Sequence, residues 1–378
     1  MSKAHGFRVY FAKAFRDKIK ENSPVNVSAD SRAKMEICSI LERLASDGTH
    51  FTSESVAADG TKKLPDSFTV YQPEHIRDDL IHVEVSAGSV GSHEEAKSPI
   101  KGNASVDISK TSPEARYILT FLFPRGKGDQ FVIIAQTKHK FEPTYRLLRR
   151  MSEVSLAMRR EAEDAERAQR KHLRQQKQTL PPKEKHSKLL FRHVQAGDNA
   201  YFDELFRNAK DATVKFTSKV PSARGGKALE TQRELAIRVR TEEEKKKVKV
   251  VAQIWRDAAN QNDTKSNREG VSELAEVLEE IDLLHENEAK DYSYAKISLK
   301  DARNDSTLIA VDAFKNVFTY PVSVGAPDYD MHYTFVAPRV KTIASEARIE
   351  VDDIDAQEVS ACLEDLAPAT YLEASSTD

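Results

Sequence analysis

Nine cations near the middle of the chain have the types and spacings that hold phosphates. Lys215 and Lys219 recur within Thr213–Val220, where polar and apolar residues alternate. In an extended strand that spacing puts both on one face. Arg238 and Arg240 repeat the arrangement in Leu235–Arg240. Between them lies Arg224-Gly225-Gly226-Lys227, whose glycines let backbone N–H groups approach an anion closely. Arg146, Arg149 and Arg150 cluster in a helical stretch upstream. Cations that neutralise phosphates release counterions, which gives affinity without base reading. Few aromatic residues are placed among them to stack bases, which favours duplex backbone over single strands. The bland alternative is an ordinary solvated sheet face, where lysines are common.

Catalytic spacings are sparse. Pro65-Asp66 followed by Glu84-Val85-Ser86 is a partial metal-nuclease pattern, with Ser86 where a catalytic lysine belongs. Arg167 and His172 have the R-x4-H spacing of some helical ribonucleases, which a helix this rich in Arg produces by coincidence. There is no phosphate loop, no dinucleotide fingerprint, no H-E-x-x-H and no G-x-S-x-G. The eleven histidines show no ligand spacing. Cys38 and Cys362, the only cysteines, suggest neither a zinc site nor a disulfide framework. The expectation is therefore a protein without catalysis, metal or cofactor.

The cations must be positioned by regular elements, and the largest is helical. From Tyr145 to Gln178 there is no Gly or Pro, and Ala, Arg, Glu, Leu, Met and Gln dominate. Glu142-Pro143 is a start signal. The apolar stripe Leu147, Leu148, Met151, Val154, Leu156, Met158 thins after Ala162, so the helix is expected to begin packed on a domain and continue into solvent or onto a partner. Residues 138–185 hold 14 Lys and Arg against 7 Asp and Glu.

The net charge of −2 conceals a strong partition. Residues 138–250 carry +13 and residues 271–378 carry −15. That asymmetry points to a polyanion-binding middle and an acidic end, or to mutual neutralisation within a chain or a dimer. No apolar run approaches the roughly 20 residues of a membrane span, so no direct membrane insertion is expected. The N-terminus lacks a signal-peptide core, and the expected compartment is the cytoplasm.

Periodicity predicts an α+β fold of five segments. Residues 1–140 form an N-terminal α+β domain, with an opening strand, a helix over Ser28–Ala45 and a hairpin of Tyr117–Phe123 with Phe131–Thr137. In that helix Ser28 or Asp30 is the expected cap, and Met35, Ile37, Cys38, Ile40, Leu41 and Leu44 face inward. Residues 141–185 are the long charged arm, which joins the first α+β unit to a second at 186–265, a basic β-α-β-β-α domain. There Asp198 caps one helix and Thr241-Glu-Glu-Glu244 is a capping box for another. Residues 266–325 read as a helix plus antiparallel strands, and 326–378 as an acidic C-terminal tail whose last 30 residues are partly disordered.

The pattern at residues 189–252 and the order that follows it carry a family resemblance. The run Phe206-Arg-Asn-Ala-Lys-Asp-Ala-Thr-Val-Lys-Phe-Thr-Ser-Lys-Val-Pro221, then Leu235-Ala-Ile-Arg-Val-Arg240, a Lys-rich helix and Ser298-Leu-Lys-Asp-Ala302, resembles the RexA-type phage-exclusion proteins. The N-terminal order of strand, helix, hairpin and helix is also similar. The similarity covers about half the chain. The arm, the Ser- and Gly-rich stretch at 86–112 and the acidic end depart from it. The resemblance implies a cytoplasmic, non-enzymatic, homodimeric sensor of double-stranded DNA in anti-phage defence, with a membrane effector as partner, and assigns no site residues. The alternatives are an oligomerisation module that uses the basic arm and acidic tail, and a metal-dependent nuclease.

Overall fold

The computed structural model describes residues 5–52, 55–56, 62–63, 66–89, 95–96, 106–107, 114–138, 141–220, 231–260, 266–302, 306–311 and 317–364. They form a mixed α+β protein with two main antiparallel sheets. The chain divides into two compact units, one built on His5–Val194 with the chain from Gly325 onward, the other on Gln195–Val324.

In the first unit the strands are β1 (His5–Arg16), β2 (His50–Phe51), β3 (Ser55–Val56), β4 (Lys62–Lys63), β5 (Asp66–Val70), β6 (Glu74–Arg77), β7 (Leu80–Ser89), β8 (Glu95–Ala96), β9 (Val106–Asp107), β10 (Glu114–Leu122), β11 (Phe131–Lys138) and β12 (Leu189–Gln195). Its main sheet runs β12-β1-β11-β10-β7-β5-β2, with β6 also paired to β7. β3 with β4, and β8 with β9, are separate two-residue ladders. The expected hairpin is β10–β11, in register from Leu119↔Ala135 to Leu122↔Val132. Its strands read as unbroken apolar runs because both faces are covered: every residue from Tyr117 to Leu122 is buried.

Helices α1 (Arg32–Asp47) and α2 (Thr144–Gln175) pack together on one face. There Ile37, Leu41, Leu147 and Met151 meet Val83, Leu119 and Ile133 in one core. The cap of α1 is Ser31, one residue beyond the expected Asp30, and its hydroxyl accepts the Lys34 N–H at 3.1 Å. Met35, expected inside, is exposed. Beyond Ser155 α2 has no buried residue, so burial ends before the apolar stripe does: Leu156 and Met158 are only half-buried.

The other face of the sheet is closed by α6 (Tyr329–Glu346). The segment from 326, read from the sequence only as the start of an acidic tail, thus opens with a helix that packs on the sheet. Asp328 caps α6, accepting the Met331 N–H at 2.8 Å, and Tyr333, Val336 and Val340 are buried. A second helix, α7 (Ala356–Glu364), packs on α6. The acidic run that leads into its first turn is docked within the same unit: Arg125 pairs with Asp352, Lys341 with Asp353 and Arg77 with Glu358. Residues 365–378 lie outside the described residues.

The second unit holds α3 (Asn199–Asn208), β13 (Asp211–Val220), β14 (Thr231–Val239), α4 (Glu242–Asn260), α5 (Asn267–Glu280), β15 (Tyr294–Lys300), β16 (Ser306–Ala310) and β17 (Tyr320–Ser323). Its sheet is ordered β14-β13-β15-β16. Both predicted caps form. The Asp198 carboxylate accepts the Tyr201 N–H at 3.1 Å, and Thr241 and Glu244 bond each other's backbone N–H at 3.1 Å. α5 packs on β15 and α4 on β16. They cover Val214, Ile237, Ile297 and Ile309; on the opposite face Glu234, Ala236, Arg238 and Lys300 are exposed, while Thr217 and Ala310 are buried.

Gly197 marks a close approach in this unit. A Cβ there would lie 2.6 Å from ring carbons of the buried Phe318. Since the ring also packs against Phe202, relief requires repacking. The substitution Gly197→Ala is expected to cost about 1–3 kcal/mol, read as a lower urea midpoint with an unchanged m-value. An unchanged midpoint would show that the ring moves freely.

Candidate nucleic-acid interface

The uncovered face of the second sheet is a grid whose rows follow from the strand register. Lys215 on β13 stands opposite Ala236 on β14 and Lys296 on β15. In the next outward row Thr213 stands between Arg238 and Ser298. In the row after that Asp211 faces Lys300. Arg240 follows the last residue of β14 and is exposed. Directly opposed residues share a face, and in antiparallel pairs their Cβ atoms lie about 4.5–5.5 Å apart. Lys215, Arg238, Arg240, Lys296 and Lys300 therefore converge on one side, against two carboxylates, Asp211 and Glu234. Among the described side chains the face carries a net +3.

Internal hydrogen bonds order part of it. Lys215 donates to Glu234 at 2.7 Å, and Arg238 donates to Asp211. The Lys215 bond holds the Glu234 carboxyl below the usual carboxylate range, with Lys296 adding attraction. The Arg238 bond does the same for Asp211, helped by Lys210 and Lys300. Both carboxylates thus stay ionised and keep the long cationic side chains extended across the face. Such exposed pairs contribute little, so a phosphate can replace either carboxylate. Lys296 and Lys300 have no direct ion pair among the described residues.

The sequence singled out Lys215, Arg238 and Arg240, and the register brings them together. Lys219 lies further along β13, opposite Gln232, and its side chain is outside the described residues, as are Arg224 and Lys227. Lys296 and Lys300 were missed. Their signal was present in the alternation of Tyr294, Lys296, Ser298 and Lys300, but only the pairing of β13 with β15 shows that they join this face.

Arg146, Arg149 and Arg150 belong to the first unit and are engaged there. Arg146 bonds Asp66 at 3.1 Å and lies over the Phe141 ring. Arg149 and Arg150 both donate to Glu153, at 3.1 and 2.6 Å. Burial alone would raise the Glu153 carboxyl, but these two bonds outweigh it and hold the group below its ordinary range. Arg150 reaches into a small cavity of about 60 Å³ beside His50, Phe68 and Val70.

The nuclease-like residues are not brought together. Asp66 is opposite Ser89, and Glu84 lies five residues from Ser89 along β7, about 17 Å in an extended strand. Asp66 is bound by Arg146, Glu84 accepts the Tyr329 hydroxyl at 2.5 Å, and Ser86 donates to Glu114. Arg167 and His172 bond Asp164 and Gln176 along their own helix. Among the described residues, no three His, Cys, Asp or Glu side chains are grouped to hold a metal ion, and no helix is long and apolar enough to cross a membrane. Neither a family model, nor a curated protein, nor a solved structure matches the chain.

Proposed function

We propose that the chain binds double-stranded DNA with low sequence specificity, without catalysis, through the cationic face of the β14-β13-β15-β16 sheet. The observation that supports this most is the register that sets Lys215 opposite Lys296, with Arg238 and Lys300 in the adjoining outward rows. Five cationic donors, with the two carboxylates of the face already engaged by Lys215 and Arg238, suit phosphate oxygens, not base edges. The sheet presents them on a broad surface that bears no aromatic platform beyond Tyr294 at one end. The biological setting follows from the resemblance to RexA-type proteins: a homodimeric cytoplasmic sensor in phage exclusion that acts on a membrane effector.

Counterion release gives the test. If the five cations each neutralise one phosphate, log affinity falls with log salt at a slope of about −4.5. Fluorescence anisotropy with a labelled duplex between 50 and 200 mM salt measures it, alongside a duplex of scrambled sequence that should bind equally. Absence of binding at 50 mM salt would end the proposal. Metal-dependent cleavage of the duplex would replace it with the nuclease reading.

A further inference from the structure

The exposed half of α2 does not end in open solvent. After Gln175 the chain reverses at Lys177, whose φ of 55° is a left-handed turn, and runs back beside the helix. Arg170 donates to the Pro181 carbonyl at 2.6 Å. Glu166 accepts the Glu184 N–H and the His186 Nε2, each at 3.2 Å. These three bonds fix the returning segment and leave a cleft of about 1070 Å³ between it and the helix.

The walls of this cleft are strongly cationic. α2 supplies Arg167, Arg170, Lys171 and Arg174, at positions i, i+3, i+4 and i+7 of one helical face. The returning segment adds Lys183 and Lys185, which share a side in an extended backbone. Three carboxylates also line it, and Glu166 is already taken up by the bonds that build the cleft. Lys171, Arg174, Lys183 and Lys185 have no carboxylate partner among the described residues.

We infer that this cleft is a second phosphate-backbone site, seating about three consecutive phosphates of one nucleic-acid strand. The helical stripe from Arg167 to Arg174 spans about 10 Å of axis. One strand of a duplex places a phosphate every 3.4 Å or so along its axis, so the lengths match. The volume exceeds the roughly 300–1,000 Å³ of a small-molecule pocket. No Phe, Tyr or Trp lines the cleft to grip a base, so the recognised chemistry is the phosphate run. The inference rests on the reading that the chain binds nucleic acid, and adds a contact surface from the first unit.

Lysine footprinting of the full chain tests both surfaces separately. The protein is acetylated with and without an unlabelled 20-base-pair duplex at 50 mM salt, and each lysine is quantified by peptide mass spectrometry. Labelling of Lys171, Lys183 and Lys185 is expected to fall at least about fivefold, with the exposed Lys341 as an unprotected control. Unchanged labelling at those three, with Lys215, Lys296 and Lys300 protected, overturns the cleft and leaves the sheet reading standing. Protection of neither set overturns both. Equal protection by inorganic tripolyphosphate at matched phosphate concentration overturns the nucleic-acid assignment in favour of a small polyphosphate. With three cleft phosphates added to the five of the sheet, the wild-type slope becomes about −7, and the exposed substitutions K171E, R174E, K183E and K185E together should bring it back to about −4.5. An unchanged slope counts against the cleft.

Discussion

Between pH 7 and pH 5 the first unit is expected to lose about 4 kcal/mol of stability. His82 on β7 and His332 on α6 are both sealed between sheet and helix. Tyr333 ties them to the sheet: its hydroxyl lies 2.8 Å from His82 Nδ1 and 2.7 Å from Thr120 Oγ1. Among the described residues, no hydrogen-bond partner reaches His82 Nε2 or either ring nitrogen of His332. Burial pushes His82 down to about 3, with the neighbouring His332 adding repulsion, and burial alone pushes His332 to about 4. In the unfolded chain both titrate near 6.5. Protons therefore bind the unfolded state first, and stability that is complete above pH 6.5 falls as the pH drops toward the folded values. At pH 5 the linkage amounts to about 2 kcal/mol per histidine. Most carboxylates are still ionised there, so the loss belongs to the histidines. Urea unfolding at pH 7 and pH 5 reads it directly. The double variant H82N/H332N should lower stability at pH 7 but flatten its pH dependence. Equal stability of the wild type at the two pH values would show that both rings are hydrated or paired, and half the loss that one of them is.

The helix that buries these histidines was the least legible part of the chain. Tyr333, Val336, Val340 and Ile343 do recur at three and four residues, but Met331 and Phe335 are apolar and exposed, which blurs the stripe, and Pro338 stands in the middle. Without that helix, the run Glu350–Glu358 reads only as charge. In the fold Ile354, Val359 and Leu363 are buried, and the acids around them answer Arg125, Lys341 and Arg77. By contrast, α1, the β10–β11 hairpin and the α3 and α4 caps were readable because each is specified locally. The five-segment division could not anticipate that the chain returns to its first sheet after Gly325, since that contact joins residues some 250 apart, as in Tyr333 with His82. The cationic face was half legible for the same reason. Alternation assigns a side to each residue of one strand, but it does not say which strands are neighbours.

That register decides which substitutions matter, and reversing Lys215, Arg238, Lys296 and Lys300 to Glu is expected to weaken duplex binding at 50 mM salt by at least about 100-fold. The face holds five cations against two carboxylates, and the four reversals take it from +3 to −5. About four phosphate contacts are removed, and the new carboxylates repel the backbone. The sheet should tolerate the change, because the four side chains lie outside the core formed by Val214, Ile237 and Ile297. Only the exposed Lys215–Glu234 and Arg238–Asp211 pairs are lost, and such pairs contribute little. Thermal melts should therefore shift by a few degrees at most. The corresponding Gln variants should give an intermediate loss, which separates missing contacts from added repulsion. A contrast within the set makes the test sharper. Lys296 and Lys300 have no direct ion pair to give up, whereas Lys215 and Arg238 must leave Glu234 and Asp211 to reach a phosphate. The pair K296E/K300E alone should then cost more affinity than K215E/R238E. Wild-type affinity in a folded quadruple variant would show that this face is merely solvated and that any DNA binding lies elsewhere on the chain.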